Sequence, residues 1–427
     1  MFKNFQKNKK NVLDYIGRFS STAQHLPSTV YCLFALVLSL SVNVAIGLVW
    51  LTLAVALFDF YRFSSTVHRP PSIVLPIIFF FLHVIALIYT SNIQAGLSEL
   101  LLKSSLLIFP LAMWLSPPSK KAGQRILMCF VVGCLLTGLV CFVRSLLNYQ
   151  IKAVSWLSYT WLSSQMGFLP AYLSMYMGFS FFIIINWLKA DWQKTGIGKR
   201  FIGFLALFFA GYMIIMLGAR LVSVTFIMLL IGLFLIWMYR RNMFFRGLFA
   251  TVLFALALWK LMNTFFVTRT RMNRIIGKQL HDYDHNFFIN INDPRGQIWE
   301  SCVAAMEQMP MWGYGIGDEI EGVLLQMYDL KNYQHLLIVD TNAHSQYVQT
   351  FLSLGYVGLF CLLVMLAVPL YLSWKKKSYL YLLFLLFISI PMLTECMLET
   401  AHGLMYFSFF NSLLCCSLTR NPSNILR

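Results

Sequence analysis

The sequence predicts an all-α polytopic membrane protein of about twelve transmembrane helices, with one large helical loop on the extracytoplasmic side. Three observations predict it. Of 427 residues, 59% are hydrophobic and only 11% charged, with a mean hydropathy of +0.70, whereas a soluble domain is roughly 45–50% apolar and about 25% charged. Apolar runs of about the 20 residues that a spanning helix needs follow one another almost end to end. The basic residues sit in short hinges between these runs, so the net charge of +17 is a topology signal rather than a nucleic-acid surface.

In chain order, the runs place helices near 28–42, 44–60, 72–90, 98–115, 126–147, 168–188, 201–218, 220–238, 247–266, 349–373, 378–396 and 403–418. The first pair is the hardest to divide, because Val30 to Phe60 is long for one upright span and short for two. Charge favours a hairpin: Lys7, Lys9 and Lys10 precede the run, and Arg62 and Arg69 follow it. The next basic clusters are Lys120, Lys121 and Arg125; Lys189, Lys194, Lys199 and Arg200; Arg240, Arg241 and Arg246; and Lys375, Lys376 and Lys377. Each follows an even-numbered helix, which puts both termini in the cytoplasm. The outward hinges hold few basic residues beyond Arg144, Lys152, Arg220 and those of the large loop.

The first apolar run begins only near Val30 and lacks a small-residue cleavage site, so no removable signal peptide is expected. Of nine cysteines, Cys302 alone lies in the large loop, and no disulfide framework is visible. The chain thus divides into helices one to nine (1–266), the loop (267–347), and helices ten to twelve with a cytoplasmic C-terminus (348–427).

The loop is the one long polar stretch, and loops of this length are commonly functional or disordered. Its pattern argues for order. Asp293-Pro294 followed by RGQIWESCVAAMEQM reads as an N-capped helix with Pro in its first turn and Ile298, Trp299, Cys302, Val303 and Met306 on its apolar face. Pro310 and the glycines of MWGYGIGDE end it. A second amphipathic stretch, HSQYVQTFLSLGYVG, leads from the loop into the tenth helix.

Several residues could carry chemistry. Arg220, in MLGARLVSV, lies between two apolar runs with no room for a loop; a guanidinium there either snorkels at a helix end or answers an anion. Arg295 sits at a helix start, where free N–H groups and the dipole favour a phosphate, though a solvated helix start has the same appearance. Arg269, Arg271, Arg274 and Lys278 defy the positive-inside pattern, which suits either an anionic ligand or outer-leaflet headgroups. His344, in TNAHSQYVQ, can serve as a general base near neutral pH or as a hydrogen-bonded interfacial residue. His281, Asp282, Asp284 and His285 have metal-ligand character, but their spacing matches no closed zinc pattern and reads as a solvated loop. The glycines of GYGIGDE lack the ending of a phosphate loop and read as turn residues.

These features together resemble one family. The dozen helices, the GAR of Arg220 at the outer start of the eighth helix, the loop carrying PRGQIWESCVAAMEQMPMWGYGIGD, and NAHSQYVQTFLSLGYVG are similar to the O-antigen ligase and polymerase superfamily, most specifically over 290–360. LIYTSNIQAGLSELLLKSSLLIFPL and GFLPAYLSMYMGF are also similar to ligase-type members from Bacteroidetes. The resemblance implies a membrane-embedded, C-type, metal-independent glycosyltransferase of the bacterial inner membrane with a periplasmic active site and no cofactor. It implies undecaprenyl-diphosphate-linked glycan as donor and a lipid A core sugar hydroxyl as acceptor. Arg220 and Arg295 match the diphosphate-binding arginines, and His344 matches the proposed base. Two departures, Ser345 where many relatives have Asn and Gly-Ala before Arg220 where Ser-Arg is common, remove no group with a stated role.

Three rivals remain at this level: a polymerase joining repeat units, an oligosaccharyltransferase acting on protein Ser or Thr, and a transporter of lipid-linked glycan. The transporter predicts charges inside several helices, for which Lys103 and Lys260 are the basic candidates, with Glu395 and Glu399 near a helix end.

Overall fold

The computed structural model describes residues 26–63, 70–152, 159–190, 192–193, 196–264, 295–337 and 342–418. Every regular element among them is helical. In chain order these are α1 (Leu26–Val37), α2 (Val42–Phe63), a 3-10 turn (Pro71–Val74) running into α3 (Leu75–Ala86), α4 (Ile93–Lys103), α5 (Ser105–Leu115), α6 (Lys120–Lys152), α7 (Tyr159–Ser164), α8 (Pro170–Ala190), α9 (Ile197–Leu217), α10 (Arg220–Arg240) and α11 (Phe244–Thr264). The loop contributes α12 (Arg295–Glu307), a π-helical turn (Glu319–Leu324), α13 (Leu325–Leu330) and α14 (Gln334–Leu337); then follow α15 (Gln346–Lys375), α16 (Tyr379–Ser389) and α17 (Ala401–Ser417).

Each of the twelve expected apolar runs contains a helix among the described residues. Seven helices are long and apolar enough to cross a membrane, and four shorter apolar helices accompany them among the described residues. Two runs differ from expectation for local reasons. The third run ends at Ala86 in a turn, and the fourth is broken at Ser104, where α4 passes into α5.

The core is built around α17, whose residues from Gly403 to Cys416 are buried. A helix apolar on all sides belongs inside a bundle, and two polar groups of α17 find partners there: Ser408 donates to Ser105 O at 2.5 Å, and Asn411 Oδ1 accepts from Tyr381 Oη at 2.7 Å. Aromatic rings fill the space between helices, with Phe130, Phe179, Tyr406 and Phe410 in mutual contact and Phe34, Phe109 and Phe409 in a second group. Around this core α8 packs on α6 and α9, α5 on α2 and α17, and α15 on α3 and α16.

The bundle has two chemically different ends. At one, Arg240 donates to Tyr379 Oη at 2.9 Å, Lys376 donates to Leu418 O at 2.8 Å, and Arg200 stacks 4.4 Å over Trp192. The opposite end gathers the loop elements, the start of α8 and the segment 394–400, held by Tyr172 Oη to Cys396 O and Tyr176 Oη to His402 O.

Candidate functional site

The sequence motifs meet at this second end. Helix α12 buries Ile298, Cys302 and Ala305 together with Leu324, Tyr328, Leu336, Ala343 and Leu352, giving the loop its own small core. The buried stripe is rotated from the expected face: Trp299 and Val303 are 40% and 56% exposed, because Ser301 and Ala305 face inward instead. The exposed edge of Trp299 is put to use, its indole N–H donating to Ala343 O at 3.2 Å.

The glycines after Pro310 do more than turn the chain. Tyr314 N and Gly315 N donate to Leu352 O and Ser353 O, and Tyr356 N donates to Met311 O, so the 311–315 strip lies directly on α15. That approach requires Gly355, which has φ 60° and ψ −155° and interrupts the helix; a Cβ there would collide with Met311 O. Asp318 then accepts from Ser91 N at 2.6 Å and Asn92 N at 2.8 Å, fixing the strip to the start of α4.

Arg295 opens the described part of α12, and its Nη2 contacts Glu395 Oε1 at 2.8 Å with both side chains 29% exposed. Partial burial raises the Glu395 carboxyl above its usual range, and the guanidinium only partly offsets this. Arg220 is the first residue of α10, after a hinge in which Gly218 adopts φ 55°, and its side chain is exposed. Since the C-terminus of α10 meets the start of α16 through Arg240 and Tyr379, the two helices run antiparallel. The N-terminus of α10 therefore faces the 391–393 turn, an element that α10 contacts and that ends two residues before the partner of Arg295. His344 is half-buried, has φ 47°, and precedes Ser345, the N-cap of α15. The fold thus brings Arg220, Arg295 and His344 to one end of the bundle. Arg269, Arg271, Arg274, Lys278, the HDYDH segment and Asp293-Pro294 lie outside the described residues.

Beside this trio is a buried polar network that the motifs did not announce. Lys103, 2% exposed, contacts Glu99 Oε1 at 2.8 Å and Glu399 Oε2 at 2.5 Å. Gln346 donates to Glu399 Oε1 at 2.7 Å and accepts from Leu398 N at 2.6 Å. Gln349 donates to Glu319 Oε1 at 3.1 Å, and Glu319 Oε2 accepts from Gly317 N at 2.7 Å. These two hydrogen bonds favour a charged Glu319, yet complete burial, with Glu99 and Glu399 nearby, prevails and pushes its carboxyl well above the usual range. The sequence signals were the i,i+4 pair Glu99 and Lys103 in an apolar run and two glutamines three apart at a helix start. Among the described residues no group of three or more His, Cys, Asp or Glu side chains could hold a metal ion.

Fold and site define a multi-pass membrane protein of apolar helices that gathers guanidinium, imidazole and carboxyl groups at one end. Residues 205–363, which include Arg220, Arg295 and His344, match the family model of O-antigen ligase, so this stretch of the chain is similar to that family. That family fits a ligase or polymerase type of function, with glycosyltransferase-like activity on lipid-linked glycan and a lipid acceptor. No curated protein matches the chain.

Proposed function

We propose that the protein is an O-antigen ligase that transfers a glycan from undecaprenyl diphosphate to a sugar hydroxyl of a lipid A core, without a metal ion. The observation that carries this reading is the convergence of Arg220, Arg295 and His344, residues far apart in sequence, at one end of the bundle within the family-matched stretch. In the reaction, His344 takes the proton of the acceptor hydroxyl as its oxygen attacks the anomeric carbon. The bond from that carbon to the diphosphate oxygen breaks, and undecaprenyl diphosphate leaves with both electrons. Arg220 and Arg295 neutralise its charge, which planar guanidiniums do well; Arg295 exchanges part of its contact with Glu395 for a phosphate oxygen. Arg269, Arg271 and Arg274 are further donor-binding residues in this account.

The same reading makes the protein a C-type glycosyltransferase of about twelve spans in the bacterial inner membrane, with both termini cytoplasmic. Helices one to nine (1–266) and ten to twelve (348–427) then flank a periplasmic catalytic loop (267–347). A deletion strain tests it: lipid A core lacking glycan while long chains accumulate on the carrier supports the ligase. Core bearing a single repeat unit assigns the polymerase instead, and loss of glycan from protein Ser or Thr assigns the oligosaccharyltransferase.

A further inference from the structure

His344 is carried by a peptide that is held on both sides. Ala343, fully buried, donates its N–H to Gln349 Oε1 at 3.1 Å, while its carbonyl oxygen accepts the indole N–H of Trp299 at 3.2 Å. Gln349 is in turn fixed by Glu319, and Glu319 by Gly317 N. Trp299 lies one helical turn after Arg295 on α12, so the two share a helix face. His344 itself has φ 47°, a left-handed backbone conformation that is unfavourable for a non-glycine residue. Asn342 Oδ1 accepts from His344 N at 3.1 Å across the same turn. A strained residue persists only where its surroundings over-determine it, and Trp299 and Gln349 are two of the groups that hold this turn.

We infer that Trp299 and Gln349 are positioning residues that lock the His344 turn, Trp299 to the helix carrying Arg295 and Gln349 to the start of α15, so that base and diphosphate seat form one rigid frame. The inference rests on the proposed transfer reaction for its purpose, but not for its physical content. A general base displaced by about 1 Å can lose on the order of 10²-fold in rate, and neither Trp299 nor Gln349 need touch either substrate to have this effect.

The test uses the full-length protein in detergent with Trp299→Phe, which keeps the ring and removes the N–H, and Gln349→Leu, which removes both amide contacts. Carbethoxylation of His344 by diethyl pyrocarbonate, read by mass spectrometry against His335 in the same molecule, reports the turn directly. Transfer is measured with undecaprenyl-diphosphate-linked glycan and lipid A core. A frame predicts that His344 labelling rises severalfold relative to His335 in both variants. It also predicts that kcat falls about tenfold or more with donor KM little changed. If Gln349→Leu does not fold, Trp299→Phe alone decides, since its ring is 40% exposed. Unchanged labelling and unchanged kcat in a folded Trp299→Phe protein overturn the frame. Wild-type protein that transfers no glycan overturns the ligase reading, while the labelling result still decides whether the turn is held.

Discussion

Lys103 in α4 and Glu399 in the segment before α17 form an ion pair across 296 positions of chain, with Nζ and Oε2 2.5 Å apart. Glu99 completes the contact from one turn away on α4. The pair ties the break between α4 and α5 to the segment that also carries Glu395. Breaking a buried pair by removing one partner leaves uncompensated charge and costs about 3–5 kcal/mol. Lys103→Met is therefore expected to lower the melting temperature in detergent sharply. Combining it with Glu99→Gln and Glu399→Gln should restore much of the loss. A Lys103→Met protein as stable as wild type contradicts the network.

Gly355 permits the close approach of the 311–315 strip to α15. Its φ of 60° with ψ of −155° is a conformation reserved for glycine. Gly355→Ala should release the strip, seen as faster limited proteolysis near Trp312 and Tyr314 without loss of the helical circular dichroism of the bundle. Unaltered cleavage rates would show that the strip is held by other contacts.

The raised carboxyl of Glu319 has a defined sign. A folded-state value above the unfolded one means that its contribution to stability is complete below the ordinary glutamate value of about 4.3. That contribution is lost as pH rises through the raised value. The melting temperature of wild type should therefore fall as pH is raised, and less steeply in Glu319→Gln. The slope is the readout, because the amide must also reorganise its contacts with Gly317 and Gln349. Equal slopes would remove Glu319 as the titrating group.

Much of this was legible in the sequence. Apolar run lengths located the helices, and the basic hinges sorted the two ends of the bundle, since Arg240 and Lys376 do lie together away from the loop. Arg220, Arg295 and His344 stood out because each interrupts or adjoins an apolar pattern. At Trp299 and Val303 the apolar pattern points to the wrong face of α12, because hydrophobicity alone cannot tell a buried ring from a partly exposed one whose N–H is hydrogen-bonded. The Lys103, Glu319 and Gln349 network was not legible as a unit: its members come from four separated segments, and only tertiary packing reveals that their charges and amides match. Gly355 lay inside an apolar run, where nothing local marks a positive φ.

The side of the membrane on which the loop lies is a separate expectation. Lys331, paired with Glu300 at 2.8 Å on the loop, should report the outside in a reporter fusion. Cytoplasmic signal from that position would place all three site residues on the wrong face for a lipid-linked donor.

Replacing either arginine by Ala should lower transfer about 10²-fold, as loss of one electrostatic donor commonly does. Lysine should rescue only in part, because an ammonium lacks the planar fork. The loss should appear in donor affinity as well as in rate.

Metal-independent transfer with His344 as base is decided by one assay. Purified protein is incubated with undecaprenyl-diphosphate-linked glycan and lipid A core in the presence of EDTA, beside a correctly inserted His344→Ala variant. Wild type should yield glycan-bearing lipid A core, and the variant should bind donor with little or no product. Full activity of the variant, or movement of the donor across a membrane with no glycosyl transfer by wild type, would contradict it.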